Sequence, residues 1–176
     1  GVGRFVTAGS SFEYGTAGER YEFIPVDAPL EPTSSYPASK AAAVSAYHVL
    51  ALELRVAFSV LRIFQVYGEG ESDSRFWPSL RRAALEGRDF EMTSGDQVRD
   101  FVEVGQVARA FLGDVEDGAF VEGKVRIGHV ASGQPLSLAE FANQEWHRAG
   151  ATGKLLMGAV PGRANEVMRF VPEIEG

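Results

Sequence analysis

The run Ala57-Phe-Ser-Val-Leu-Arg-Ile-Phe64 is apolar on both of its alternating phases, broken only by Ser59 and Arg62. A strand with one wet face alternates apolar and polar residues, so a run without alternation needs cover on both faces. That selects a parallel strand inside an α/β sheet, and such a strand demands neighbours that this chain is not expected to supply in full. Strands are expected near residues 4–8, 57–63, 98–102 and 124–128, and helices near 36–53, 75–86, 104–114 and 137–148. Ser137-Leu-Ala-Glu140 has capping-box spacing, and Gly87 stands where a glycine ends the helix before it.

Chemistry concentrates around Tyr36-Pro-Ala-Ser-Lys40, a tyrosine and a lysine four residues apart on one face at the start of an alanine-rich helix. An ammonium beside a phenol favours the phenolate, so the pair reads as an acid/base device. Taken alone, the same spacing also describes a solvated surface pair. Upstream, a short apolar strand from Arg4 runs into the small-residue turn Gly9-Ser-Ser-Phe-Glu-Tyr-Gly15. The proline-rich connection of residues 24–35 cannot be helix, and its last serines are N-cap candidates for the Tyr36 helix. Strand, hydroxyl turn, extended loop and Tyr/Lys helix form a specific order.

With those segments in view, the chain resembles the extended short-chain dehydrogenase/reductases, the NAD-dependent epimerases and dehydratases that act on nucleotide sugars. Leu61-Arg-Ile-Phe-Gln-Val-Tyr-Gly68 resembles the family's strand and turn after the Tyr/Lys helix, and Gln97-Val-Arg-Asp-Phe101 its Arg-Asp-Phe signature. Phe76-Trp-Pro-Ser-Leu80 and Arg163-Ala-Asn-Glu166 match the lid helix and late arginine more loosely. The resemblance implies an α/β fold: the C-terminal part of a Rossmann-type doubly wound parallel sheet plus a small α/β substrate-binding region. Residues 1–68 would be the C-terminal half of the cofactor domain, and residues 69–176 mainly the substrate region, with segments returning to the sheet.

The resemblance also implies roles. Ser10, Tyr36 and Lys40 would be catalytic, with Tyr36 and Lys40 also touching the cofactor beside Ile63, Phe64 and Val66. Ser11, Gln65, Arg99 and Arg163 would face the substrate, the two arginines on its diphosphate, although ion pairs with Asp100 or Glu166 are the structural alternative. Gln65 stands where relatives commonly carry asparagine. Dehydratases follow the catalytic hydroxyl with an Asp-Glu pair, here Ser11 and Phe12, so reduction of a 4-keto sugar or 4-epimerisation is expected instead of dehydration. If the turn is extended, Glu13 points away from Phe12.

No Gly-x-x-Gly-x-x-Gly turn is present, although the family uses one to seat the dinucleotide pyrophosphate. The chain is therefore expected to be a piece of a longer polypeptide that lacks the opening strands, with weak dinucleotide binding in isolation. The cofactor is NAD or NADP, since the residue that separates them follows the second strand. A non-catalytic dinucleotide-binding or scaffold module of the same fold is the second reading. Retention of Ser10, Tyr36 and Lys40 favours the enzyme lineage. The run of residues 41–46 suits close helix packing, in a homodimer or in the core.

A formal charge of −7 without a clustered basic face argues against a nucleic-acid partner. The absence of cysteine removes disulfides and thiolate ligands, and His48, His129 and His147 form no zinc pattern and are expected in surface or helix packing. No apolar run approaches the ~20 residues of a membrane span, so a cytoplasmic location without membrane contact is expected.

Overall fold

A computed structural model describes residues 1–117, 120–164 and 166–174 of the chain. The doubly apolar run is β2 (Ala57–Ile63), buried at every residue up to Arg62. β1 (Arg4–Ser10) pairs with one of its edges and β6 (Val125–Val130) with the other, both in parallel. The central strand is thus flanked on both edges, contrary to the expectation that the chain would not supply its neighbours in full. The shortfall falls on β1, whose outer edge is unpaired among the described strands.

Two helices connect and cover this sheet. α1 (Ser35–Leu54) carries apolar residues around its whole circumference, burying Pro37, Val44 and Ala51 while leaving Val49, Leu52 and Leu54 exposed. α3 (Val104–Glu116) is amphipathic and seats Val107 against Leu61 and Val130. These contacts are the cover that a non-alternating strand needs.

A second sheet is built on β5 (Val98–Glu103). It pairs in parallel with β3 (Gln65–Tyr67) and β9 (Arg169–Phe170), and antiparallel with β7 (Pro135–Ser137). Pro135 opens its strand, where a missing N–H costs least. β4 (Phe90–Met92) and β8 (Leu155–Met157) form a parallel pair beside α2 (Phe76–Leu85) and α4 (Leu138–Arg148). Leu80, Ala83, Met92, Ala142 and Trp146 pack together between them. The capping box at Ser137 is formed, with Glu140 N–H donating to Ser137 Oγ at 3.1 Å, and Gly87 leaves α2 at φ 66°.

Candidate active site

β1 and β2 run in register to Ser10 opposite Ile63, so their carboxyl ends open on the same side. Outside such ends is where doubly wound sheets bind ligands. After Ser10 the chain enters a 3₁₀ turn, Ser11–Tyr14, and is not extended. Ser10 caps the turn: its N–H donates to Glu13 Oε1 at 2.7 Å, and its Oγ accepts the Phe12 N–H at 3.3 Å. The tight turn still separates the two side chains, leaving Glu13 fully buried and Phe12 53% exposed. Gly15 follows with φ 49°, and a Cβ there would stand 1.8 Å from the Glu31 carbonyl oxygen. Only glycine lets the returning loop come this close, with Thr16 N–H donating to Glu31 O at 3.2 Å.

The two residues that interrupt β2 have different fates. Ser59 Oγ is buried without a hydrogen-bond partner. Arg62, 2% exposed, holds a polar network beneath the turn. Its Nε donates to Glu13 Oε2 at 3.1 Å, and its Nη1 donates to the Tyr14 hydroxyl at 2.9 Å and to Val26 O at 2.8 Å. The Tyr14 hydroxyl lies 2.6 Å from His129 Nε2, and burial raises its pKa above the usual phenol value. His129 therefore belongs to a strand-borne network instead of the surface or helix packing expected of it. The network escaped the sequence reading, although an arginine inside an otherwise apolar strand and a glutamate in a hydroxyl turn are its two visible signs.

Tyr36 lies in the first turn of α1, 57% exposed. One turn later Lys40 Nζ donates to the Ala8 carbonyl at 2.9 Å, tethering the helix to the strand that ends in Ser10, and sits 6.0 Å from the centre of the Tyr36 ring. Tyr36 opens onto a cleft of about 990 Å³ between the turn after β1, the start of α1, the second sheet and the β4 segment, whose walls also carry Phe12, Gln65, Val66, Arg99 and Arg163. Ser10 and Ser11 are buried in the turn, Phe64 is buried against His129 and Phe170, and Ile63 ends β2; none of these four lines the cleft, nor does Lys40.

Arg99 pairs with Glu166 at 3.0 Å, its side chain 16% exposed, so one of the two ion-pair alternatives is realised. Burial lowers the pKa of its guanidinium, and the Glu166 carboxylate opposes that shift. The other alternative fails because Asp100 is fully engaged, accepting N–H groups of Ser132 at 2.6 Å and Gly133 at 2.9 Å. Across the cleft floor, Trp77 Nε1 donates to the buried Glu145 at 2.9 Å, which also pairs with Arg148. Among the described residues no group of three or more His, Cys, Asp or Glu is placed to hold a metal ion. No helix among them is long and apolar enough to cross a membrane.

Residues 1–126 match the family described as the NAD dependent epimerase/dehydratase family. The chain belongs to this family. A CDP-abequose synthase of Salmonella typhimurium is 28% identical over 116 residues, which cover 64% of this chain and 38% of that protein. Among solved structures, the UDP-N-acetylglucosamine 4-epimerase of Methanobrevibacter ruminantium in complex with UDP-N-acetylmuramic acid superposes with a TM-score of 0.85 at 19% identity, covering 98% of this chain and 54% of its own. MoeE5 in complex with UDP-glucuronic acid and NAD gives 0.78 at 27% identity, covering 99% and 56%. This family member thus spans about half the length of the solved relatives it matches. The superpositions bear out the expected fold, a Rossmann-type α/β arrangement with parallel sheets.

Proposed function

We propose that the protein containing these residues is an NAD(P)-dependent oxidoreductase or epimerase of nucleotide-activated sugars, acting by 4-keto reduction or 4-epimerisation. The observation that carries the reading is Tyr36, open to a large cleft and backed by a lysine that is tethered to the Ser10 strand. Residues 1–68 form the cofactor side and residues 69–176 mainly the substrate side, with β6 returning to the first sheet in support of that division.

The nicotinamide-ribose end of a dinucleotide fits the residues present: two parallel strands end together, and the helix that connects them carries Tyr36 and Lys40 in its first turns. NAD or NADP bound there supplies or accepts the hydride. Tyr36 exchanges the proton of the reacting sugar hydroxyl. Lys40 keeps a positive charge behind the phenol and orients the ribose, and the buried, capped turn fixes Ser10 for the reacting oxygen. Arg99 and Arg163 on the cleft wall hold the diphosphate, with Gln65 nearer the sugar and Val66 shaping the cofactor side; the buried Ser11 and Phe64, and Ile63 at the end of β2, act from behind that wall. Ser11 and Phe12 carry no carboxyl group at the positions where dehydratases need one, which supports reduction or epimerisation.

The test supplies nucleoside-diphosphate 4-ketohexoses with NADH or NADPH and follows loss of the reduced nicotinamide, using the protein joined to a glycine-turn half if it proves inactive alone. Tyr36→Phe should lower turnover by about two to four orders of magnitude with cofactor binding nearly unchanged, whereas Lys40→Ala should harm both. Equal turnover in Tyr36→Phe overturns the mechanism.

A further inference from the structure

Buried polar side-chain atoms nearly always have a hydrogen-bond partner, so those that lack one need an explanation. Among the described residues, Ser59 Oγ lacks one inside β2, and Asp114 Oδ2 lacks one on α3, where the residue already pairs with Arg126. Glu71 Oε2 and Thr93 Oγ1 lack one as well, and both of these residues line the cleft. Glu71 stands in the loop between β3 and α2 with its side chain 18% exposed, and Arg75 Nε donates to its Oε1 at 3.2 Å. Arg75 therefore balances the charge and leaves one carboxylate oxygen that can only accept. Thr93 directly follows β4, and the rings of Phe76 and Phe90, 5.8 Å apart, line the cleft with it.

The nucleotide-sugar reading above assigns Tyr36 to the sugar and Arg99 and Arg163 to the diphosphate, which leaves the base for the wall made by α2 and β4. An aromatic wall suits the flat face of any base, so the polar edge decides between them. A carboxylate oxygen accepts from an exocyclic amino group, as Glu and Asp do toward cytosine. Uracil and thymine carry a carbonyl oxygen in place of that amino group, and two acceptors meet there with no water between them. Their one ring N–H lies between two carbonyl oxygens, which oppose the carboxylate from both sides. We infer that the cleft takes a sugar nucleotide whose base bears an exocyclic amino group, which donates to Glu71 while the Thr93 hydroxyl bonds the adjoining ring edge. This rests on the nucleotide-sugar reading, since it is that reading which brings a base to this wall.

The test is calorimetric titration of the full chain with CDP, ADP, GDP, UDP and dTDP. The tightest of the three amino-bearing nucleotides should bind at least about tenfold more tightly than UDP or dTDP, the lower end for a hydrogen bond to a charged group. Its amino protons should exchange with water more slowly in the complex than in the free nucleotide. Glu71→Gln keeps an oxygen for Arg75 and offers the base a donor, so it should bring the preference within about twofold. Thr93→Val should weaken the favoured nucleotide about fivefold, the scale of one neutral hydrogen bond. Equal affinity across the five, tighter binding of UDP or dTDP, unslowed amino protons, or a preference that survives in Glu71→Gln overturns the amino-base inference alone. Failure of all five to bind overturns it together with the nucleotide-sugar reading.

Discussion

Replacing Glu13 by glutamine isolates the charge of the buried pair beneath the hydroxyl turn. The side chains of Glu13 and Arg62 are 0% and 3% exposed, so neither charge has water to fall back on. Glutamine keeps an oxygen for the Ser10 N–H, and Arg62 keeps its bonds to the Tyr14 hydroxyl and Val26 O. What disappears is the counter-charge. Leaving one buried charge uncompensated costs about 3–5 kcal/mol, and the retained hydrogen bonds place Glu13→Gln near the lower bound, about 3 kcal/mol. For a chain of this size that corresponds to a fall in Tm of about 6–12 °C. Urea unfolding followed by circular dichroism should show the midpoint falling with an unchanged slope. The double variant Glu13→Leu with Arg62→Met removes both charges and should be more stable than the sum of the single losses predicts. A Glu13→Gln loss below about 1 kcal/mol, or strictly additive losses in the cycle, would refute the claim that the pair is coupled and dry.

Gly15→Ala should cost about 3 kcal/mol or more, from the strain of φ 49° together with the collision with the Glu31 carbonyl, and thermal unfolding reads it. A loss within 0.5 kcal/mol, the range of ordinary surface substitutions, would show that the loop simply moves aside. Hydrogen bonds from Arg20 and Thr16 lower the Glu31 carboxyl from the usual 4.5 to about 2. Because the folded value is depressed, the stabilisation is present above pH 4.5 and lost as pH falls through about 2. Carboxyl-detected NMR titration should find that low midpoint, and Arg20→Ala should move it upward; an unchanged midpoint in the variant would sink the assignment. Titration of the chain with NADH and NADPH should show weak binding if, as proposed, its residues meet only the nicotinamide-ribose end. Tight binding would favour a stand-alone dinucleotide module.

Several elements were legible because their signals are local. The capping box Ser137 to Glu140 starts α4 on its own, and Gly87 adopts the positive φ that ends α2. β2 announces double burial through its unbroken apolar run. The strands that escaped reading, β3, β4, β7, β8 and β9, are each two or three residues long. A period of two cannot be detected over so short a stretch, and only pairing with a distant partner makes such a segment a strand.

The candidate site divides along the same line. Tyr36 and Lys40 could be named because one helical turn joins them, and Ser10 because it stands in the adjoining turn. The amino-acid order alone therefore determined the class of sheet, the main helices and the neighbouring of Tyr36 and Lys40 on one helix. Tertiary structure alone decided that Arg62, 49 residues from Glu13, completes a buried charge pair beneath Ser10, and that Arg99 meets Glu166. It also decided that Phe12 faces the cleft while its neighbours turn inward. The reason is that burial and charge pairing belong to the packed chain, and residues far apart in sequence acquire them only when the strands and helices pack together.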